Sequence, residues 1–160
     1  MSGTIVLGVD PGCRETGIVL RVDDGVADFT VLERTDTAKL PGGEYVACVI
    51  QRIDSMWTRA GQPTVAVEGV NIPNPHLGMT NVGGQIGCAI VLGAVLGVFA
   101  DAVVVPPGRN GSGPKAAYPD ELWGPREGVA GKGRLRHCRS AFDVAGAALK
   151  LQAIEARVHA

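Results

Sequence analysis

The chain carries almost no net charge: 15 Lys and Arg stand against 16 Asp and Glu, a formal −1 at pH 7. That balance excludes a protein that holds nucleic acid by bulk charge alone. Paired cysteines are also missing. Cys13, Cys48, Cys88 and Cys138 are scattered, with no CxxC pair and no zinc-like spacing, so reduced thiols in a cytoplasmic protein are expected. No secretory leader with its cleavage site can be read at the N-terminus. From Gly69 to Ala100 there is no Asp, Glu, Lys or Arg, and Ile86 to Ala100 is apolar enough to raise the question of a membrane span. The apolar core is short, Gly83, Gly84, Gly87, Gly93 and Gly97 dilute it, and neither flank carries a Lys and Arg cluster. No membrane crossing is expected.

What is present suits one folded domain over residues 1–160: the chain has 160 residues, 46% of them hydrophobic, enough for a real core. Thr4 to Asp10 is a nearly all-apolar, β-branched run, as in a central strand buried on both faces. After the turn Pro11-Gly12-Cys13-Arg14-Glu15, a second strand over Thr16–Val22 and a third over Val26–Glu33 flank the hairpin signal Asp23-Asp24-Gly25. Tyr45, Val46, Val49, Ile50, Ile53, Met56 and Trp57 recur at helical spacing up to Gly61 and Pro63. Thr64–Glu68 returns as a buried strand, about 80–100 reads as a long helix, and Asp101–Val105 as a last strand. Crossover helices between strands imply parallel pairing on one edge of a mixed sheet. Residues at about 106–133 form a Gly- and Pro-rich loop with a short helical turn near Asp120–Trp123, and loops of this length are usually functional or disordered. A final helix runs from near Leu135 to Val158, with Phe142, Ala145, Gly146, Leu149 and Ala153 on its inner face.

Three acids stand out. Asp10 and Glu68 end buried strands, and Asp143 lies in the apolar stretch Ser140-Ala141-Phe142-Asp143-Val144-Ala145-Gly146. Buried carboxylates need neutralising partners, and hard divalent cations suit clustered oxygen ligands. A metal-dependent phosphodiesterase follows, with Asp10, Glu68 and Asp143 as catalytic and metal-binding residues. A positive stretch runs from Arg126 to Arg139: Arg126, Lys132, Arg134, Arg136, Arg139 and protonated His137 face only Glu127. Lys132, Arg134, Arg136 and Arg139 are expected to track phosphates beside such a site.

The element order is that of an RNase H-like fold: an α/β domain whose mixed five-stranded sheet, three antiparallel plus two parallel strands, is flanked by helices. Gly8-Val9-Asp10-Pro11-Gly12-Cys13-Arg14-Glu15-Thr16-Gly17 resembles the first motif of RuvC-type Holliday-junction resolvases. Val67-Glu68-Gly69-Val70 is similar to that family's second motif, and Ser140-Ala141-Phe142-Asp143-Val144-Ala145-Gly146-Ala147 to its last. The resemblance implies a Holliday-junction resolvase-type endodeoxyribonuclease of DNA recombination and repair, a phage-type member among the options. It implies two Mg2+ ions per active site, with Mn2+ able to substitute, and cleavage of branched DNA to 5′-phosphate and 3′-hydroxyl ends. It also implies a homodimer through the helix at about 80–100, which is apolar almost all round, with Gly84, Gly87 and Gly97 allowing close approach at the seam.

The sequence departs from this pattern in three places. Where the family has an acid or His three residues before the last Asp, the chain has Ser140, so the site uses three carboxylates, or His137 bends in, or a water held by Ser140 completes it. Asn71 stands where some members carry a junction-inserting aromatic. Arg109 and Lys115 are rough counterparts of a basic catalytic segment. The rival readings are a RuvX-type nuclease acting on structured RNA, disfavoured by Pro11 and Thr16-Gly17, and a catalytically weakened branched-DNA-binding module, which Ser140 admits.

Overall fold

In the computed structural model, which describes residues 3–71, 81–124 and 133–158, the apolar N-terminal run forms the middle of a five-stranded sheet. Strand β1 (Ile5–Asp10) is buried beyond its first residue. On one side it pairs antiparallel with β2 (Glu15–Val22), which pairs antiparallel with β3 (Gly25–Glu33). On the other it pairs parallel with β4 (Thr64–Glu68), and β4 pairs parallel with β5 (Val103–Val105). The spatial order is β3-β2-β1-β4-β5. Asp23 turns the β2–β3 hairpin at φ 50°, a conformation Asp tolerates better than most residues.

Helices α1 (Gly43–Arg59) and α2 (Val82–Val98) are the crossovers, and they share one face of the sheet. Val49, Ile53, Met56, Val91 and Val95 pack there on Leu7, Val9, Ile18, Val65 and Val67. Helix α3 (Arg136–Val158) covers the opposite face, where Ala141, Phe142, Val144, Ala145 and Ala148 meet Val6, Val19, Ala66 and Val105. Within the Gly/Pro-rich stretch, 3-10 turns at Lys115–Ala117 and Asp120–Leu122 bring Tyr118 and Leu122 into this second layer. The expected turn near 120 is there; the one at 115–117 has no apolar period to announce it. Among the described residues, no helix is long and apolar enough to cross a membrane.

Side chains alternate between faces along a strand. Leu7 and Val9 meet α1 and α2, so Gly8 and Asp10 face α3; by the same parity Glu15, Gly17, Glu33, Ala66 and Glu68 also face α3. The small residues in this set let the helix come close. A Cβ on Gly8 would lie 2.0 Å from the Ala141 carbonyl oxygen, and one on Gly17 would lie 2.2 Å from that of His137.

Helix α2 is less symmetric than its composition implies. Gly87 faces inward, where a Cβ would meet the Cys13 Sγ at 2.4 Å, and Gly84 sits against its own N-cap, Asn81, whose Oδ1 accepts from the Gly84 amide. Neither lies on an open seam. Gly83, Gly93 and Gly97 face open space, beside exposed Val82, Ile86, Ile90 and Val98.

Gly17→Ala is expected to destabilise the fold by about 2 kcal/mol or more, because backbone of both β2 and α3 must shift to admit the methyl group. Urea unfolding of the variant against the wild type measures it; an unchanged midpoint would contradict the close packing of α3 on β2.

Candidate active site

Register and parity build the site from the ends of three strands. Val9 pairs with Val67, so Asp10 and Glu68, the next residues on adjacent parallel strands, stand side by side on the α3 face. Asp10 is only 9% exposed. Glu68 is pushed up to about 7, first by burial and then by the negative charge and shared hydrogen bond of Asp10. Two acids crowded this closely cannot both ionise without cost.

The first turns of α3 and the segment after β5 supply the neighbours. Asn110 donates from Nδ2 to Glu68 Oε1 at 2.6 Å, and the Ser140 hydroxyl points at Glu68 Oε2 from 3.5 Å. His137 Nδ1 lies 2.9 Å from Asp10 Oδ2, while its Nε2 lies 3.3 Å from Glu15 Oε2. The hydrogen bond to Asp10 raises the affinity of His137 for its proton against the opposing effect of burial.

Asp143 is held differently. Its Oδ2 accepts from the Gly111 amide and from the Tyr118 hydroxyl, each at 2.8 Å. Gly111 has φ +74°, and a Cβ there would approach the Arg136 carbonyl oxygen and Ser140 backbone within 3 Å, so glycine alone lets the segment lie on α3. The three acids therefore divide as two plus one, Glu68 and Asp143 being held by successive residues, Asn110 and Gly111. Among the described residues, no group of three or more His, Cys, Asp or Glu is arranged to hold a metal ion.

The basic residues scatter. Arg139 is 2% exposed; its guanidinium stacks over the Trp123 ring at 4.1 Å and donates to the Leu122 carbonyl, so it fastens the 3-10 segment to α3 and does not face solvent. Arg134 is exposed and lies 3.7 Å from Glu33, while Arg136, Arg109 and Lys115 are exposed. Lys132 lies outside the described residues, as do Arg126 and Glu127. Sequence reading passed over Glu15, Asn110 and Tyr118. Strand parity points to Glu15, but nothing in the irregular segment after β5 singles out the other two.

No protein-family model and no curated protein sequence matches the chain. Solved structures do. A Thermus thermophilus RuvC in complex with Holliday junction substrate matches at TM-score 0.57 and 20% identity, over 89% of this chain and 90% of that one. A second Thermus thermophilus RuvC structure gives the same score and identity, over 89% and 91%. The fold is RNase H-like.

The pH dependence of stability tests the acid pair. Between its ordinary value near 4.5 and about 7, Glu68 binds a proton in the folded state that the unfolded state has released. Its contribution to stability must then fall as pH rises through that window and level off above it. Glu68→Gln removes this loss, so the variant should gain on the wild type between pH 4.5 and 7 in chelator-treated buffer. A stability difference independent of pH, followed by chemical denaturation, would rule out the crowded pair.

Proposed function

We propose that the chain is a divalent-cation-dependent endonuclease that hydrolyses phosphodiester bonds in branched DNA, four-way junctions foremost, leaving 5′-phosphate and 3′-hydroxyl ends. The observation that carries this reading is the meeting of Asp10 and Glu68 at adjacent strand ends, with Glu68 held near 7, on a sheet like that of a RuvC solved with a Holliday junction substrate.

The donor chemistry fits Mg2+ or Mn2+: hard carboxylate oxygens pressed together, whose mutual repulsion a divalent charge relieves better than a shared proton does. Asp10 and Glu68 would hold one ion; a second would need Asp143, released from Gly111 and Tyr118. Bound divalent ions supply an activated water and neutralise charge gathering on the scissile phosphate. The chain's own residues set the stage for this. Asn110 fixes one Glu68 oxygen and Ser140 faces the other, so the carboxylate cannot rotate freely. Exposed Arg109, Lys115 and Arg136 lie within a few residues of Asn110, Tyr118 and His137 and would position DNA backbones without reading bases, as would Lys132.

A symmetric dimer through α2 belongs to the same reading. Val82, Ile86 and Ile90 follow one another at four-residue spacing on its outer surface, beside Gly93 and Gly97, whose open faces admit close backbone approach. Two-fold pairing would bury this stripe and present two sites to a symmetric junction. The second reading, a branched-DNA-binding module with a weakened site, draws on the engagement of Asp143 by Gly111 and Tyr118.

Asp10→Asn should still bind a synthetic four-way junction in a gel-shift assay. Its cleavage in Mg2+ should fall by more than the roughly 10- to 100-fold typical of losing a ligand's supporting partner. Cutting at the wild-type rate would remove Asp10 from the chemistry, and a wild type that binds junctions without cutting at any Mg2+ or Mn2+ concentration would favour the second reading. Sedimentation should show a wild-type dimer, and the paired substitution Ile86→Glu with Ile90→Glu should give a folded monomer. A variant that remains dimeric would place the interface elsewhere.

A further inference from the structure

Glu15 has no role in the reading above, yet it reaches the acid pair through a single intermediary. As the first residue of β2 it lies two positions from Gly17 and faces α3. Gly17 pairs across β1 with Asp10 and, on its α3 side, lies directly beneath the backbone carbonyl of His137. The missing Cβ at Gly17 thus sets His137 between the ends of β1 and β2, where its ring spans the two acids: Nδ1 to Asp10 at 2.9 Å, Nε2 to Glu15 at 3.3 Å. A ring held at both nitrogens has little freedom to swing or flip. Because His137 engages one Asp10 oxygen, Oδ2, it also fixes the plane of that carboxylate and the direction in which Oδ1 presents its lone pairs.

We propose that Glu15 is a positioning residue: through His137 it orients the Asp10 carboxylate for the nuclease reaction, supplying from the neighbouring strand and one turn earlier on α3 a support that Ser140 cannot give. The inference rests on the nuclease reading. Supporting partners of this kind commonly matter 10- to 100-fold to metal affinity or activity. A purely structural role makes the opposite forecast. Glu15 pairs across the sheet with Glu33, and directly opposed like charges destabilise a sheet, so removing one should be harmless or helpful if charge relief were all that His137 and Arg134 provide.

The experiment uses the full chain, a four-way DNA junction and saturating Mg2+. Glu15→Ala should lower kcat by about 10-fold or more with KM for the junction within about threefold and the melting temperature unchanged or raised. Glu15→Gln keeps a carbonyl oxygen to accept from Nε2 and should recover most of the loss. Because Glu15 acts through His137, the double variant Glu15→Ala with His137→Ala should be no slower than His137→Ala alone. Wild-type kcat in Glu15→Ala, or losses that multiply in the double variant, would overturn the proposal. A direct measurement separates it from the nuclease reading. In imidazole ¹H–¹⁵N spectra, the wild type should show a slowly exchanging His137 Nε2 proton that disappears in Glu15→Ala while the Nδ1 proton persists. Persistence of the Nε2 signal overturns the relay whatever the protein cuts, whereas a wild type that cuts no branched DNA overturns the nuclease reading alone.

Discussion

The close approach of α3 to β1 and β2 is the contact on which the candidate site depends. It exists because Gly8 and Gly17 have no side chain where the Ala141 and His137 carbonyls lie. Glycine within a strand forgoes about 0.5–1 kcal/mol relative to alanine. Here that loss is offset by the burial of Ala141, Phe142, Val144, Ala145 and Ala148 against the sheet. The functional consequence is one of distance. A helix standing one methyl group farther off would carry His137 and Ser140 away from Asp10 and Glu68, and Asp10 and Glu15 would lose the imidazole between them.

The α3 face of the sheet changes character along its length, and this change makes a site out of a core. In the middle it presents Val6, Val19 and Ala66; at one end the same parity presents Asp10, Glu15, Glu33 and Glu68. Each of the four meets a group from outside the sheet: His137 spans Asp10 and Glu15, Arg134 approaches Glu33, and Asn110 donates to Glu68. Asn110 and Ser140 carry no charge and the Arg134 pair is exposed and screened, which leaves His137, between Asp10 and Glu15, as the partner best placed to offset the acids. Arg139 lies too deep to contribute at the surface. What results is a carboxylate-rich sheet end whose partners come from α3, the residues just before it and the segment after β5.

Much of this was legible in the sequence because strand periodicity and turn chemistry are local. The all-apolar run before Asp10, the Asp23-Asp24-Gly25 hairpin and the helical spacing from Tyr45 to Trp57 each report their own conformation, and the observed strands and α-helices differ from the expected ones only at their ends. Asp10 and Glu68 were legible as a pair because both terminate buried strands. Orientation within helices was harder to read. Arg139 belongs to a basic run by composition, yet it shares a helix face with Phe142 and Gly146, three and seven positions on, and that face is covered. Gly87 looked like a seam residue and instead admits Cys13, a contact between elements far apart in sequence. Asn110 and Tyr118 were not legible at all, since their positions follow from how an irregular segment packs on α3.

That irregular segment decides how the third acid relates to the other two. Asn110 and Gly111 are consecutive, so a displacement that frees Asp143 from the Gly111 amide also strains the hold on Glu68. The two acids cannot change partners independently. Tyr118 adds a constraint of another kind: burial and its hydrogen bond to Asp143 push its hydroxyl up to about 12, so it stays a donor at any pH at which the protein would work. Raising the pH therefore does not release Asp143 from this arrangement by removing the donor. The segment after β5 thus links the third acid to the Asp10–Glu68 pair through two consecutive residues, Asn110 on Glu68 and Gly111 on Asp143.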